Sequence, residues 1–126
     1  MEVARDWNTG TITLSQQGYI NKMLKEFGLE QCKSVPTPMV KDNSGGIATT
    51  DSPLLKHDDH GQYRSLIGSL MYAANITRPD IAYATTALSR FLSAPTEFHM
   101  KLAKRVLRYL AGTKHYSLVF GTRYYT

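Results

Sequence analysis

The chain has 126 residues, enough for one small domain with a buried core, and its 42% hydrophobic and 10% aromatic content excludes a disordered polymer. No apolar run approaches the roughly 18 residues of a membrane helix, no secretory core follows Met1, and the single Cys32 excludes an internal disulfide or thiolate cluster. The formal charge of +5 is uneven, since residues 1–62 balance to −2 and residues 63–126 to +7, which points to a polyanionic partner, nucleic acid first.

The expected setting is intracellular, cytoplasmic or nuclear, without secretion or a membrane partner. Along the chain, residues 1–14 read as a β-hairpin. Two β-prone runs, 3–7 and 11–14, flank Asn8-Thr9-Gly10, where Gly10 can supply the positive φ of a three-residue turn. Ser15 is then placed to cap a helix over 16–27. Its apolar stripe is Tyr19, Ile20, Met23, Leu24 and Phe27, and Gly28 follows as the terminating residue.

Residues 33–61 differ in kind. Val35-Pro36-Thr37-Pro38 must be extended, because each proline pushes its predecessor out of the α region. Asp42-Asn43-Ser44-Gly45-Gly46 and Thr49-Thr50-Asp51-Ser52-Pro53 are turn-forming, so the stretch is expected to be a long loop or linker.

Three helices are expected next. The first, 62–75, carries Leu66, Ile67 and Leu70 on its core side, with Met71 and Ala74 beside them. Pro79 suits the opening turn of the second, 79–93, with Ile81, Ala84, Leu88 and Phe91/Leu92 inward and Asp80 at the helix start. Ala94-Pro95 stops it. Thr96 caps the third, Glu97 sits in its first turn, and Gly112 closes it. Residues 116–125 read as a strand broken at Gly121. The expected class is therefore α+β: a hairpin and helix (1–32), an extended loop (33–61), a helical bundle (62–113) and a C-terminal strand (114–126).

Two patterns carry binding chemistry. Lys101, Lys104, Arg105 and Arg108 recur at i, i+3, i+4 and i+7, opposite His99, Leu102, Ala103, Val106, Leu107 and Leu110. This is a phosphate-binding ridge or a merely solvated face, and the absence of Asp and Glu from residue 101 to the end favours binding. Arg64, Gly68 and Tyr72, at i, i+4 and i+8, form a second track away from the core stripe. A mid-helix glycine costs about 1 kcal/mol relative to alanine, so Gly68 calls either for tight helix packing or for close approach of a ligand.

Other clusters carry less. Asp58-Asp59, within Lys56-His57-Asp58-Asp59-His60, is the one adjacent acidic pair, but it lacks the rigid apolar strands on which two-metal chemistry holds its carboxylates. His57 and His60 lack third and fourth ligands nearby. No catalytic residue, metal or cofactor is expected, and Tyr83 and Tyr109 are read as core or boundary residues.

Five stretches, in order, resemble the copia branch of retrotransposon polyproteins. They are Thr13-Leu14-Ser15-Gln16-Gln17-Gly18-Tyr19-Ile20, Val35-Pro36-Thr37-Pro38-Met39, Tyr63-Arg64-Ser65-Leu66-Ile67-Gly68-Ser69-Leu70-Met71-Tyr72-Ala73-Ala74, Thr77-Arg78-Pro79-Asp80-Ile81-Ala82-Tyr83-Ala84 and Ala103-Lys104-Arg105-Val106-Leu107-Arg108-Tyr109-Leu110-Ala111-Gly112-Thr113. The resemblance covers about residues 1–120. It implies a reverse transcriptase fragment: primer-grip hairpin, helical thumb, and the start of the connection. In that family the palm's Asp-Asp pair comes earlier and the ribonuclease H carboxylates later. The resemblance thus implies a noncatalytic fragment of an RNA-directed DNA polymerase that grips an RNA–DNA hybrid or duplex beside the rest of the enzyme. The alternative is a truncated or domesticated fragment acting as a protein-interaction module.

Overall fold

A computed structural model describes residues 2–8, 10–39 and 53–120. The turn-rich stretch 40–52 and the far half of the expected last strand, 121–126, lie outside them. Strands β1 (Glu2–Asp6) and β2 (Thr11–Ser15) form the expected hairpin, with Glu2 opposite Ser15 and Asp6 opposite Thr11. The connection is one residue longer than expected. It closes with the Gly10 amide donating to Asp6 O at 2.9 Å, and Gly10 has φ +70°.

Ser15 does not cap the next helix. It belongs to β2, paired with Glu2 on one side and Ser117 on the other, so its backbone is committed to the sheet. Helix α1 (Gln17–Glu26) starts one residue later, after Gln16. An acceptor from across the hairpin serves its first turn, as Gly18 N donates to Glu2 Oε1 at 2.9 Å. That hydrogen bond lowers the carboxyl pKa of Glu2. Ile20, Met23 and Leu24 are buried, and Gly28, at φ +70°, ends the helix as expected.

Helix α2 (His57–Ile76) begins five residues earlier than expected. Asp58 and Asp59 lie in its first turn, where carboxylates complement the exposed amides and the positive end of the helix dipole. Residues 57–61 are therefore helix, not linker. Leu66, Ile67, Leu70, Ala73 and Tyr63 are fully buried, with the Tyr63 hydroxyl donating to Leu88 O at 2.7 Å. Burial pushes that phenol up to about 12.

The expected helix 79–93 is shorter and divided. A 3-10 turn (Pro79–Ile81) leads into α3 (Ala82–Ser89), and residues 90–95 are irregular. Pro79 occupies the opening turn, where its missing N–H costs nothing. Helix α4 (Glu97–Gly112) has the expected Thr96 cap: Thr96 Oγ1 accepts from His99 N at 3.2 Å, and Thr96 N donates to His99 Nδ1 at 3.0 Å. Glu97 N finds its acceptor in Pro53 O at 3.0 Å. Gly112 remains helical and Thr113 is the cap.

Strand β3 (Ser117–Phe120) returns antiparallel to β2, so the hairpin is part of a three-stranded sheet in the order β1-β2-β3. The fold is α+β, with four helices and this sheet among the described residues. One apolar core joins Ile20, Met23 and Leu24 of α1 to the buried faces of α2, α3 and α4. The helical body is thus larger than the three-helix bundle expected from residues 62–113. Cys32, Val35 and Met39 pack against that core from the irregular segment that follows α1.

Candidate nucleic-acid interface

The α2 track is open. Arg64, Gly68 and Tyr72 are all exposed, and a Cβ built on Gly68 meets nothing within 4 Å. Tight packing against another helix is not the reason for this glycine. Arg64 Nε donates to Leu92 O at 3.2 Å, leaving Nη1 and Nη2 without a protein partner among the described residues. At the other end Tyr72, 49% exposed, lies against the Tyr19 ring at 5.0 Å, and Tyr19 Oη donates to Ser69 O at 3.3 Å. Both flanking side chains are therefore braced from neighbouring elements while the backbone between them is bare.

The α4 ridge is different. Lys101 is exposed, whereas Lys104, Arg105 and Arg108 are half-buried. Arg105 Nη2 donates to Thr37 Oγ1 at 3.1 Å, and Arg108 Nε donates to Lys33 O at 2.8 Å. The segment expected to be a long loop or linker is, over residues 33–39, a strap along the basic face of α4. Its apolar residues hold it on the core while its backbone and Thr37 engage the two arginines. The strap comes very near at Gly112, where a Cβ would stand 2.8 Å from Ser34 Cβ. No hydrogen bond, ion pair or ring contact joins the track to the ridge among the described residues.

The residues with the densest polar contacts were not among the expected binding residues. Arg78, 1% exposed, donates Nε to Asp80 Oδ1 at 3.1 Å and Nη2 to Asp80 Oδ2 at 2.9 Å. It also donates Nη1 to Thr113 O at 2.9 Å and Nη2 to Thr113 Oγ1 at 2.6 Å. Tyr109 Oη donates to Asp80 Oδ2 at 2.6 Å, and the Tyr109 and Tyr116 rings lie 5.6 and 5.2 Å from the guanidinium carbon. Burial alone would raise the Asp80 carboxyl, but the hydrogen bonds from Arg78 and Tyr109 prevail and hold it below its usual value. Burial, then the bond to Asp80, raises the Tyr109 phenol. The cluster ties the 3-10 turn to the end of α4 and is structural in character. Its signal was Arg78-Pro79-Asp80 between apolar Ile76 and Ile81, where proline stiffens a two-residue reach.

Tyr109 is buried as expected, but Tyr83 is 80% exposed, because the apolar side of α3 is already filled by Ala84, Ala87 and Leu88. Asp58 is exposed and Asp59 half-buried in the first turn of α2, and the His57 and His60 rings lie 5.5 Å apart, tilted by 51°. No group of three or more His, Cys, Asp or Glu side chains among the described residues could hold a metal ion. No helix among them is long and apolar enough to cross a membrane.

No family model and no solved structure matches the chain. It is 42% identical over 113 residues to a putative transposon Ty5-1 protein of Saccharomyces cerevisiae, covering 90% of this chain and 35% of that protein. It is 36% identical over 123 residues to the retrovirus-related Pol polyprotein from transposon TNT 1-94 of Nicotiana tabacum, covering 96% of this chain and 9% of the relative. The Pol polyprotein from transposon RE1 of Arabidopsis thaliana is 41% identical over 105 residues, covering 83% and 7% respectively. The chain thus spans about a third or less of these relatives' length. It belongs, as the counterpart of one segment, to the copia-type retrotransposon Pol polyproteins.

Proposed function

We propose that this segment is the thumb side of a reverse transcriptase and grips the template–primer duplex without taking part in bond making. The observation that carries the reading is the Arg64–Gly68–Tyr72 track. A bare glycine between two braced side chains admits the shallow minor groove of an A-form hybrid, which side chains can reach. The exposed Lys101 and the half-buried Lys104 add phosphate contacts. Asp58-Asp59, in the first turn of a helix, suits the positive end of the helix dipole and not a two-metal site.

Fluorescence anisotropy with an RNA–DNA hybrid tests this directly. Gly68→Ala is expected to leave stability unchanged or raise it by up to about 1 kcal/mol, since the new methyl enters open space and alanine is the better helix former. The same change is expected to weaken hybrid binding by obstructing groove approach. Undiminished binding by a folded Gly68→Ala chain would remove the track from the interface. Supplied with a primed template, nucleotides and Mg²⁺, the chain is also expected to extend no primer. Extension that disappears on Asp58→Asn or Asp59→Asn would assign catalysis to the pair that this reading treats as structural.

A second reading has its own support. Val3, Trp7, Tyr83 and Val119 are largely exposed, and β1 is exposed along its whole length. Such surface suits docking on protein, either the rest of a polymerase or a separate partner.

A further inference from the structure

The strap on α4 presents a half-filled fork. Arg105 Nη2 donates to Thr37 Oγ1 at 3.1 Å, while Arg105 Nε, on the same edge of the guanidinium, is buried without a hydrogen-bond partner among the described residues. An arginine edge of this kind accommodates two oxygens of a carboxylate or phosphate at once. Thr37 itself is exposed. It lies between Pro36 and Pro38, in a bend over residues 36–39, and the residue after it lacks an N–H. An exposed Thr followed directly by Pro is the pair that proline-directed kinases take. Lys101 and Arg108 stand one turn to either side of Arg105 on the same helix face.

We propose that Thr37 is a phosphorylation site whose phosphate is clamped by the Nε/Nη2 edge of Arg105, turning the strap into a cover for the basic face of α4. The donor is ATP, delivered by a separate kinase. The bond from Thr37 Oγ1 to the γ-phosphorus forms as the bond from that phosphorus to the β,γ-bridging oxygen breaks. ADP leaves, and the hydroxyl proton passes to the kinase's base. A phosphothreonine brings a charge of about −1.5 to −2 and three acceptor oxygens to a face whose described ridge residues are all cationic. The clamp stands on the geometry alone; its consequence, weaker duplex binding, rests on the gripping role proposed above.

Ser52-Pro53 is the other Ser/Thr-Pro pair in the sequence, so the test uses the full chain carrying Ser52→Ala. Treated with a proline-directed serine/threonine kinase and Mg-ATP, it is expected to take phosphate on Thr37, mapped by fragment mass spectrometry. In a ³¹P titration the second ionisation of that phosphate is expected well below its ordinary value of about 6. Arg105→Gln should return it to that value, and Arg105→Lys, which keeps the charge but not the fork, should return it most of the way. Circular dichroism confirms that both variants fold. Phosphorylation is further expected to weaken hybrid binding about tenfold or more. Absence of phosphate on Thr37, with Ser52 labelled in the parent chain, overturns the proposal. So does an identical titration in the folded Arg105→Gln and Arg105→Lys chains. A shifted titration in a chain that binds no hybrid in either state supports the clamp and sinks the gripping role.

Discussion

Arg78→Ala is expected to cost about 3–5 kcal/mol of unfolding free energy, toward the lower end, read from urea denaturation. A small domain holds only about 5–15 kcal/mol in total, so the variant should be substantially unfolded at modest temperature. Truncation leaves the Thr113 carbonyl and hydroxyl and the Asp80 carboxylate without the donor they share. It also opens a void where one of the largest fully buried side chains stood. Asp80 is 35% exposed at its side chain, so water compensates part of the loss on that side. Thr113 is buried and has no such relief.

The same cluster sets a pH dependence with a definite sign. Asp80 has a folded-state pKa below its ordinary 3.8, so its contribution is complete above that value and is lost as pH falls through the folded one. Stability of the parent chain should therefore decline below pH 3.8 more steeply than stability of Arg78→Ala. Urea midpoints at neutral pH and at about pH 3 separate the two chains. A loss under about 1 kcal/mol, or equal acid sensitivity in both, would show that the cluster is not what joins the 3-10 turn to α4.

Periodicity made the helical body legible. Leu66, Ile67 and Leu70 on α2, and Ala103, Val106, Leu107 and Leu110 on α4, are buried as their spacing requires. The local cues also held where the responsible group was local: Gly10 and Gly28 at positive φ, Pro79 in an opening turn, Thr96 as a cap. What sequence could not give was pairing over distance. Ser15 reads as a cap until β3, about a hundred residues later, claims it for the sheet. The start of α2 was misplaced because Asp58, Asp59 and Gly61 look like loop composition, although first-turn carboxylates are favourable.

The candidate binding residues divide in the same way. The openness of Gly68 fits its position opposite a strong core stripe, although the pattern alone left tight helix packing as the other reason for a glycine there. The strap over Arg105 and Arg108 was hidden, since a helical wheel shows which residues share a face but not which segment lies on it. Val35 and Met39 were the available signal: apolar side chains in a proline-rich stretch need a surface to cover, and here that surface is the chain's own core.

That division of the ridge gives the second large expected effect. If all four basic residues met phosphates equally, replacing them with glutamine would lower the log–log salt slope by up to about 0.9 per contact on B-DNA. The strap makes the four unequal. Lys101 and Lys104 donate no hydrogen bond to protein among the described residues, so Lys101→Gln/Lys104→Gln should account for most of the loss. Its slope change is expected to reach up to about 1.8, with little dependence on sequence and with stability held within about 0.5 kcal/mol. Arg105→Gln/Arg108→Gln should do the reverse. It removes the donors to Thr37 Oγ1 and Lys33 O, costs about 1–3 kcal/mol as the strap loosens, and changes the slope less. The quadruple variant should then show the shallowest salt dependence of the set, its slope lowered by roughly the sum of the two pairs' changes, with its affinity loss relative to the parent greatest at low salt. Equal slope changes from the two pairs would mean that the arginines leave the strap for phosphate when duplex binds. An unchanged slope in a folded quadruple variant would make this face a solvated one, with the α2 track left to carry the grip alone.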